Sequence, residues 1–409
     1  VVDNFTLDGT TLALSSGDFT LDVEADILLN ANGDNIKLLY DDTIYLDIYK
    51  TGNNIALFQA VSDGDILFQG TDSDGGGAIT ALTLDMSAAG QAQFTNGTDA
   101  LPSISFASDP DTGIRRGGTN NIAFVANGAT RTYIDASTHL ATNTAGTSNL
   151  ALGVNAGAAI VSGANYNTLI GDEAGDLLAS GGVNNTAVGY QALTSEDGNG
   201  NATAIGFRAL GNQNAGAESY NVAVGVDAGL NLTLATSATL VGAFAGGGAV
   251  MTGANNTAIG RNAGYVLTSG AENVFVGGLA GDGTDDGNFN TAVGYLALSA
   301  NCGSNNTAVG QRALVSSTGD LNTALGKEAG TLMSSGQRCT FVGALAGASA
   351  STMEDTVAVG NDAGKFATTA HSSVFIGADA GQGITGTKLT GNQNTCVGAQ
   401  AGILLQGAA

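Results

Sequence analysis

His139 and His371 are the only imidazoles among the 409 residues. Neither stands in a spacing that sets up a nucleophile and its base, so both read as surface histidines. Carboxylates are plentiful and stand side by side at Asp41-Asp42, Asp172-Glu173, Asp285-Asp286 and Glu354-Asp355. Two carboxylates about 5–10 Å apart are the machinery of glycoside hydrolysis. Acids adjacent on turns are more simply solvated charges, and no catalytic residue is assigned. Asp72-Ser-Asp-Gly75 and Asp282-Gly-Thr-Asp-Asp-Gly287 have the outline of a calcium loop but lack its bidentate Glu. Cys302, Cys339 and Cys396 are spread without CxxC spacing, which fits neither a metal cluster nor a disulfide framework. No metal, cofactor or enzymatic activity is expected.

These residues sit on a repeat. Val183-Asn-Asn-Thr-Ala-Val-Gly-Tyr-Gln-Ala-Leu193 returns, varied, to the C-terminus, and fifteen copies align on one glycine from Gly153 to Gly398. Successive marker glycines lie 16 to 19 residues apart, the last 21. Such a period in a Gly-rich, β-branched chain predicts a solenoid whose coils stack along one axis. The residue before the marker is always Val, Ile or Leu; two further back it is Thr in ten copies, Val in four and Leu in one. Side chains alternate along a strand, so these two columns share a face. Thr exchanging with Val and Leu places that face inside the coil. The residue between them points the other way and is apolar too: usually Ala, otherwise Leu169, Leu240, Phe275, Phe341, Phe375 or Cys396. A strand apolar on both faces is buried on both. The expectation is a subunit interface built by this middle column, with Leu240, Phe275, Phe341, Phe375, Ala187 and Ala292 as contact residues.

Ala stands three after every marker, followed by Gly in eleven copies and Leu in four. Asn stands four before it in ten copies, as at Asn185, Asn256 and Asn306. Stacked coil on coil, such residues can form amide ladders. A large middle residue tends to come with a small residue just after the marker, as in Phe275 with Gly278 and Phe341 with Ala344. The reverse holds for Ala187 with Tyr190 and Ala204 with Phe207. This predicts that the two columns share one space. The turns, such as Glu196-Asp-Gly-Asn-Gly-Asn201 and 282–288, remain as exposed polar surface.

Composition bounds the rest. The chain has 63 Gly, 2 Pro, no Trp and a net charge of −24. That charge disfavours nucleic acid and anionic membrane as partners. No run of about 18 apolar residues predicts membrane insertion, and no basic-then-apolar leader is visible. The first residue is Val, which fits a fragment or processed form. Residues 1–100 are β-rich without the repeat: Phe19-Thr-Leu-Asp-Val-Glu-Ala-Asp-Ile-Leu-Leu29 alternates, Asn32-Gly33 and Asp63-Gly64 signal turns, and 71–77 reads as a loop. Further strands are expected at 65–69 and 79–86. A β connector follows over 101–148, with a junction at 102–114 holding both prolines and strands at 122–125 and 132–135.

The Asn-Thr-Ala-Val-Gly-x-x-Ala-Leu repeats over 149–409 resemble the YadA-type head of trimeric autotransporter adhesins. That resemblance implies a left-handed parallel β-roll with three chains about a threefold axis, although the period here is longer and the family's stalk and anchor are missing. Gly64-Asp-Ile-Leu-Phe68, Ile79-Thr-Ala-Leu-Thr-Leu-Asp-Met-Ser-Ala-Ala-Gly90 and Ile104-Ser-Phe-Ala-Ser-Asp-Pro-Asp-Thr-Gly-Ile114 resemble virion fibre proteins of tailed phages, especially marine ones. Together they imply an all-β homotrimer: a parallel β-roll of about fifteen coils preceded by an irregular β-rich fibre shaft. In a virion tail fibre it would adjoin other virion proteins and meet a host-surface glycan or protein receptor. A bacterial surface adhesin or extracellular filament would use the same roll, and a polysaccharide-degrading spike is a third class. Ice binding, suggested by the Thr column, is set aside because an inward Thr could not serve it.

Overall fold

The computed structural model describes residues 36–40, 43–51, 54–59, 65–71, 78–85, 91–118, 121–134, 140–142, 146, 148–179, 181–196, 200–216, 218–384 and 389–405. Among these, every regular element is a β-strand. Two three-stranded antiparallel sheets come first, one from Ile36–Tyr40, Thr43–Thr51 and Asn54–Gln59, the other from Ile66–Thr71, Ala78–Asp85 and Gln91–Phe94. The strands expected at 65–69 and 79–86 are in the second. The strand expected at 19–29 and the turns at 32–33 and 63–64 lie outside the described residues.

A five-stranded antiparallel meander then runs from Ile104–Phe106 through Asp109–Gly118, Asn121–Ala126 and Ala129–Ile134 to Leu140–Thr142. The junction at 102–114 is a hairpin: Ile104 pairs with Ile114 and Phe106 with Asp109. Pro110 is tolerated because it is the second residue of its strand, where a missing N–H does least harm.

From Leu150–Leu152 to Thr395–Val397, fifteen three-residue strands form one parallel sheet in strict sequence order, enclosing about fourteen turns of a β-solenoid. Register is uniform, so equivalent residues stack: Thr186 on Thr203, Ala187 on Ala204, Val188 on Ile205.

The direction of the strand faces is the reverse of the expectation. The middle column fills the coil: Ala187, Leu240, Phe275, Ala292, Phe341 and Phe375 are all 0% exposed within a single chain. The six expected contact residues are thus interior packing and cannot touch another subunit. The Thr and Val columns point outward, half-buried or exposed. The physical reason is width. The all-Ala column three after each marker is also fully buried, at Ala192, Ala209 and Ala297 for example. Two small-residue columns facing each other make the thin interior, and the larger Thr and Val go outside it.

The residue four after the marker completes that interior. Added carbon at Gly281 would lie 2.6 Å from the Phe275 ring, at Gly347 2.4 Å from Phe341 and at Gly381 2.0 Å from Phe375. Where this position is Leu (Leu193, Leu210, Leu298, Leu314), the middle residue is Ala. Each coil with both positions small is followed by a coil with Leu or Phe in the middle, and the large side chain fills both. Gly264 meets Phe275 and Gly330 meets Phe341 in this way. The volume exchange predicted with the residue just after the marker does not occur. Tyr190, Phe207 and Tyr295 stand outside at 44%, 43% and 51% exposure.

The marker glycines adopt φ between 118° and 143°. A Cβ at Gly189 would lie 2.4 Å from the carbonyl oxygen of Gly206 in the next coil, so backbone stacks directly on backbone there. The residue two after the marker is left-handed and is often not glycine: Gln191, Arg208, Phe244, Leu296 and Arg312 have φ of 51–62°. Hydrogen bonds between coils hold it there, as in Arg208 N to Tyr190 O at 2.9 Å.

Candidate functional site

The asparagine column forms the expected ladder. Asn167 N donates to Asn149 Oδ1, Asn185 N to Asn167 Oδ1, and Asn306 N to Asn290 Oδ1, each at 2.9 Å. Most of the amide nitrogens also reach a turn carbonyl, as Asn290 Nδ2 does to Gly303 O at 2.8 Å. Nearly all these side chains are fully buried, so they are structural and present nothing to a ligand. Cys339, Thr356 and Ser373 continue the column, and Asn394 N donates to Ser373 Oγ at 3.1 Å. The residues in left-handed turn conformation are the ones just before, such as Asn184 and Asn255.

Two acidic pairs, Asp172-Glu173 and Glu354-Asp355, are engaged through their side chains, whereas Asp285 Oδ1 is buried without a hydrogen-bond partner among the described residues. Asp172 Oδ1 accepts from Val154 N at 2.9 Å, and Glu173 Oε2 accepts from Gln191 Nε2 at 2.6 Å. Arg338 forks onto Asp355 at 2.7 and 3.2 Å and reaches Glu354 Oε2 at 3.1 Å. This guanidinium holds the Asp355 carboxyl below its ordinary range. His371 joins the same surface, its Nδ1 accepting from Glu354 N at 3.2 Å. In the 282–288 turn, Ser299 Oγ donates to Asp282 Oδ1 at 2.5 Å, and partial burial raises that carboxyl. The Asp285 carbonyl accepts from Thr268 N at 2.8 Å and Gly270 N at 3.2 Å. Among the described residues no three His, Cys, Asp or Glu side chains group in a way that could hold a metal ion. His139, the pair at 41–42 and the loop at 72–75 lie outside the described residues.

Of the turn 196–201 expected as exposed polar surface, residues 197–199 lie outside the described residues, and Glu196 is not exposed. Glu196 is fully buried and accepts from Gln213 Nε2 at 2.8 Å, while Gln213 Oε1 accepts from Asn221 Nδ2 at 2.9 Å. Glu196 and Gln213 occupy an interior column that holds Leu178, Leu232 and Leu267 in other coils, and Asn221 joins them from the asparagine column. The cysteines are buried as well, and burial pushes the Cys302 and Cys339 thiols up to about 11.

Two surface features remain. The first is the outward sheet face, a column of Thr and Val beside a column of Val, Ile and Leu. Neither column contains a charged residue from Leu150 to Val397, in a chain of net charge −24. The second lies at the Gly189, Gly206 and Gly225 coils. The Tyr190 and Phe207 rings stack with centroids 5.6 Å apart and planes inclined by 23°. The Arg208 guanidinium lies 4.9 Å over the Phe207 ring. It also lines a hollow of about 240 Å³ bounded by Gln191, Thr194, Ser195, Gly211, Asn212 and Leu230. Sequence analysis assigns Tyr190 and Phe207 a packing role; the signal for a surface role is that two aromatics in one stacked column of adjacent coils must adjoin. No family model, curated protein or solved structure matches this chain.

Proposed function

We propose that this chain is a non-catalytic adhesive fibre protein of a phage virion, three copies of which associate along their solenoids to position or contact a host-surface glycan or protein receptor. Adjoining virion proteins would anchor it. The observation that carries the reading is the in-register stack of fifteen strands with an uncharged outward face. Coils spaced by about 4.8 Å extend such a stack to on the order of 70 Å, the form of a shaft. Thirty consecutive outward positions free of charge, in so acidic a chain, suit burial against identical faces. The packed interior and the engagement of Asp172-Glu173 and Glu354-Asp355 with other side chains or backbone favour binding over catalysis. Repetition of shallow sites in a trimer, and on many fibres per particle, makes weak contacts effective.

The test incubates the purified protein with a panel of bacterial strains and with polysaccharide extracted from them. Saturable cell binding with polysaccharide of unchanged length supports the reading. Shortened polysaccharide, abolished by changing one acidic pair, overturns it in favour of a spike enzyme.

One observation favours a second reading. The outward direction of the Thr column removes the ground for setting ice binding aside. The neighbouring column is Val, Ile and Leu rather than a second row of hydroxyls, which suits another protein face better than an ordered water layer. Thermal hysteresis of the purified protein at millimolar concentration would reverse that preference.

A further inference from the structure

We propose that the hollow at Gln191, Ser195, Arg208 and Asn212, with the adjoining Tyr190–Phe207 stack, binds a neutral hexose unit of a polysaccharide. The proposal rests on the adhesive reading above and names its ligand class. Tyr190 and Phe207 are each more than two-fifths exposed, although burying such rings is strongly favourable. A pyranose ring presents a flat face of C–H groups, which complements the electron-rich face of an aromatic ring.

The polar groups beside the rings match hydroxyls. Gln191 commits its amide nitrogen to Glu173, and among the described residues its carbonyl oxygen has no partner. Asn212 likewise donates through Nδ2 to Asn231 Oδ1 at 3.0 Å and keeps Oδ1 free. Arg208 binds Asp227 through Nε and Nη2, both at 2.8 Å, and keeps Nη1. Ser195 adds a hydroxyl that donates or accepts. Two free amide oxygens, the remaining N–H groups of Gln191, Asn212 and Arg208, and one hydroxyl suit a polyol, whose groups both donate and accept. The two amide oxygens oppose an anion, which needs donors only. The Asp227 carboxylate already balances the Arg208 charge, and the chain's net charge opposes an acidic sugar.

The hollow is smaller than clefts that enclose drug-sized ligands, so it admits one ring at a time. None of its lining residues belongs to the outward sheet columns. The arrangement is local: Tyr295 occupies the same column as Tyr190, but the next coil there carries Gln311 rather than a second ring.

The test titrates the full chain with short oligosaccharides of glucose, galactose and mannose, read by calorimetry or saturation-transfer NMR. At least one is expected to bind saturably. Tyr190→Ala and Phe207→Ala are each expected to weaken it about tenfold, with melting temperature unchanged. Tyr295→Ala, equally exposed, should leave it unaltered. Binding by none of the sugars, or binding undiminished in both variants, overturns the site. Cell binding by the unmodified chain that both variants retain sinks this site but not the adhesive reading. No cell binding by the unmodified chain sinks that reading instead.

Discussion

Gly294 and Gly398 occupy the same column, but only Gly294 has a coil stacked beyond it. A Cβ at Gly294 would lie 2.6 Å from Gly310 O; at Gly398 it would meet nothing within 4 Å. Both have positive φ, so alanine strains either by roughly 1–3 kcal/mol. Gly294→Ala must also push two coils apart. It is expected to abolish hydrogen-exchange protection in both adjoining coils, whereas Gly398→Ala weakens only its own; equal losses would mean that conformation rather than stacking restricts the column. The ladder makes a second prediction. Asn290→Ala removes the acceptor of Asn306 N and the donor to Gly303 O, and leaving such buried groups unpaired costs about 2–3 kcal/mol. Asn290→Ser should be milder, because Ser373 fills that column natively and accepts from Asn394 N. Denaturant melts of the two variants decide this. A third concerns the thiols. Cys302 and Cys339 titrate near 11 in the fold, so at pH 8 they stay protonated, and a thiol reagent should modify them only as fast as the coils open. Rapid labelling of the native protein would show the interior to be open. The ladder was legible in the sequence because Asn returned at a fixed offset. The left-handed conformation of Gln191 or Arg208 was not, because nothing in either residue's chemistry asks for it; hydrogen bonds from the neighbouring coil impose it.

At the scale of the coil, periodicity revealed the strands and their register but not which face was inside. Thr beside Val reads equally well as a half-buried outer face or a permissive core. The deciding signal was a different pair of columns: Leu193, Leu210, Leu298 and Leu314 occur only where the middle residue is Ala. That exclusion places both columns in one interior. It also predicts an exchange. Phe341→Ala alone leaves a cavity and should cost about 3–5 kcal/mol. Gly347→Leu alone drives a side chain into the Phe341 ring. Together they recreate the Ala-with-Leu coil found four times in this chain, so the double variant should be more stable than the sum of the single losses predicts. Additive losses in thermal melts would separate the two positions. The pairing within the junction at 102–114 was not legible for a simpler reason. Two prolines suggested a break, but one precedes the first strand and the other stands near the start of the second, where ladder hydrogen bonds are not yet required.

For the molecule as a whole, the reversed faces change what an assembly test must disturb. Phe275→Asp would bury a charge inside a single coil and should prevent folding, so it says nothing about subunits. Val293 and Val309 point outward in neighbouring strands and pair across the ladder. Aspartate at both keeps the interior intact and places two charges on a face that carries none. If copies of the chain associate there, the unmodified protein is trimeric in native mass measurements. The Val293→Asp, Val309→Asp variant is then a folded monomer with the same β circular dichroism. Solution scattering adds an independent constraint: residues 149–409 should give a rod on the order of 70 Å long in either state, because coil stacking rather than association sets its length. A trimer that survives both substitutions would move the interface to another face. A monomer in the unmodified chain would leave the uncharged face without an identical partner and remove the threefold presentation on which avidity depends.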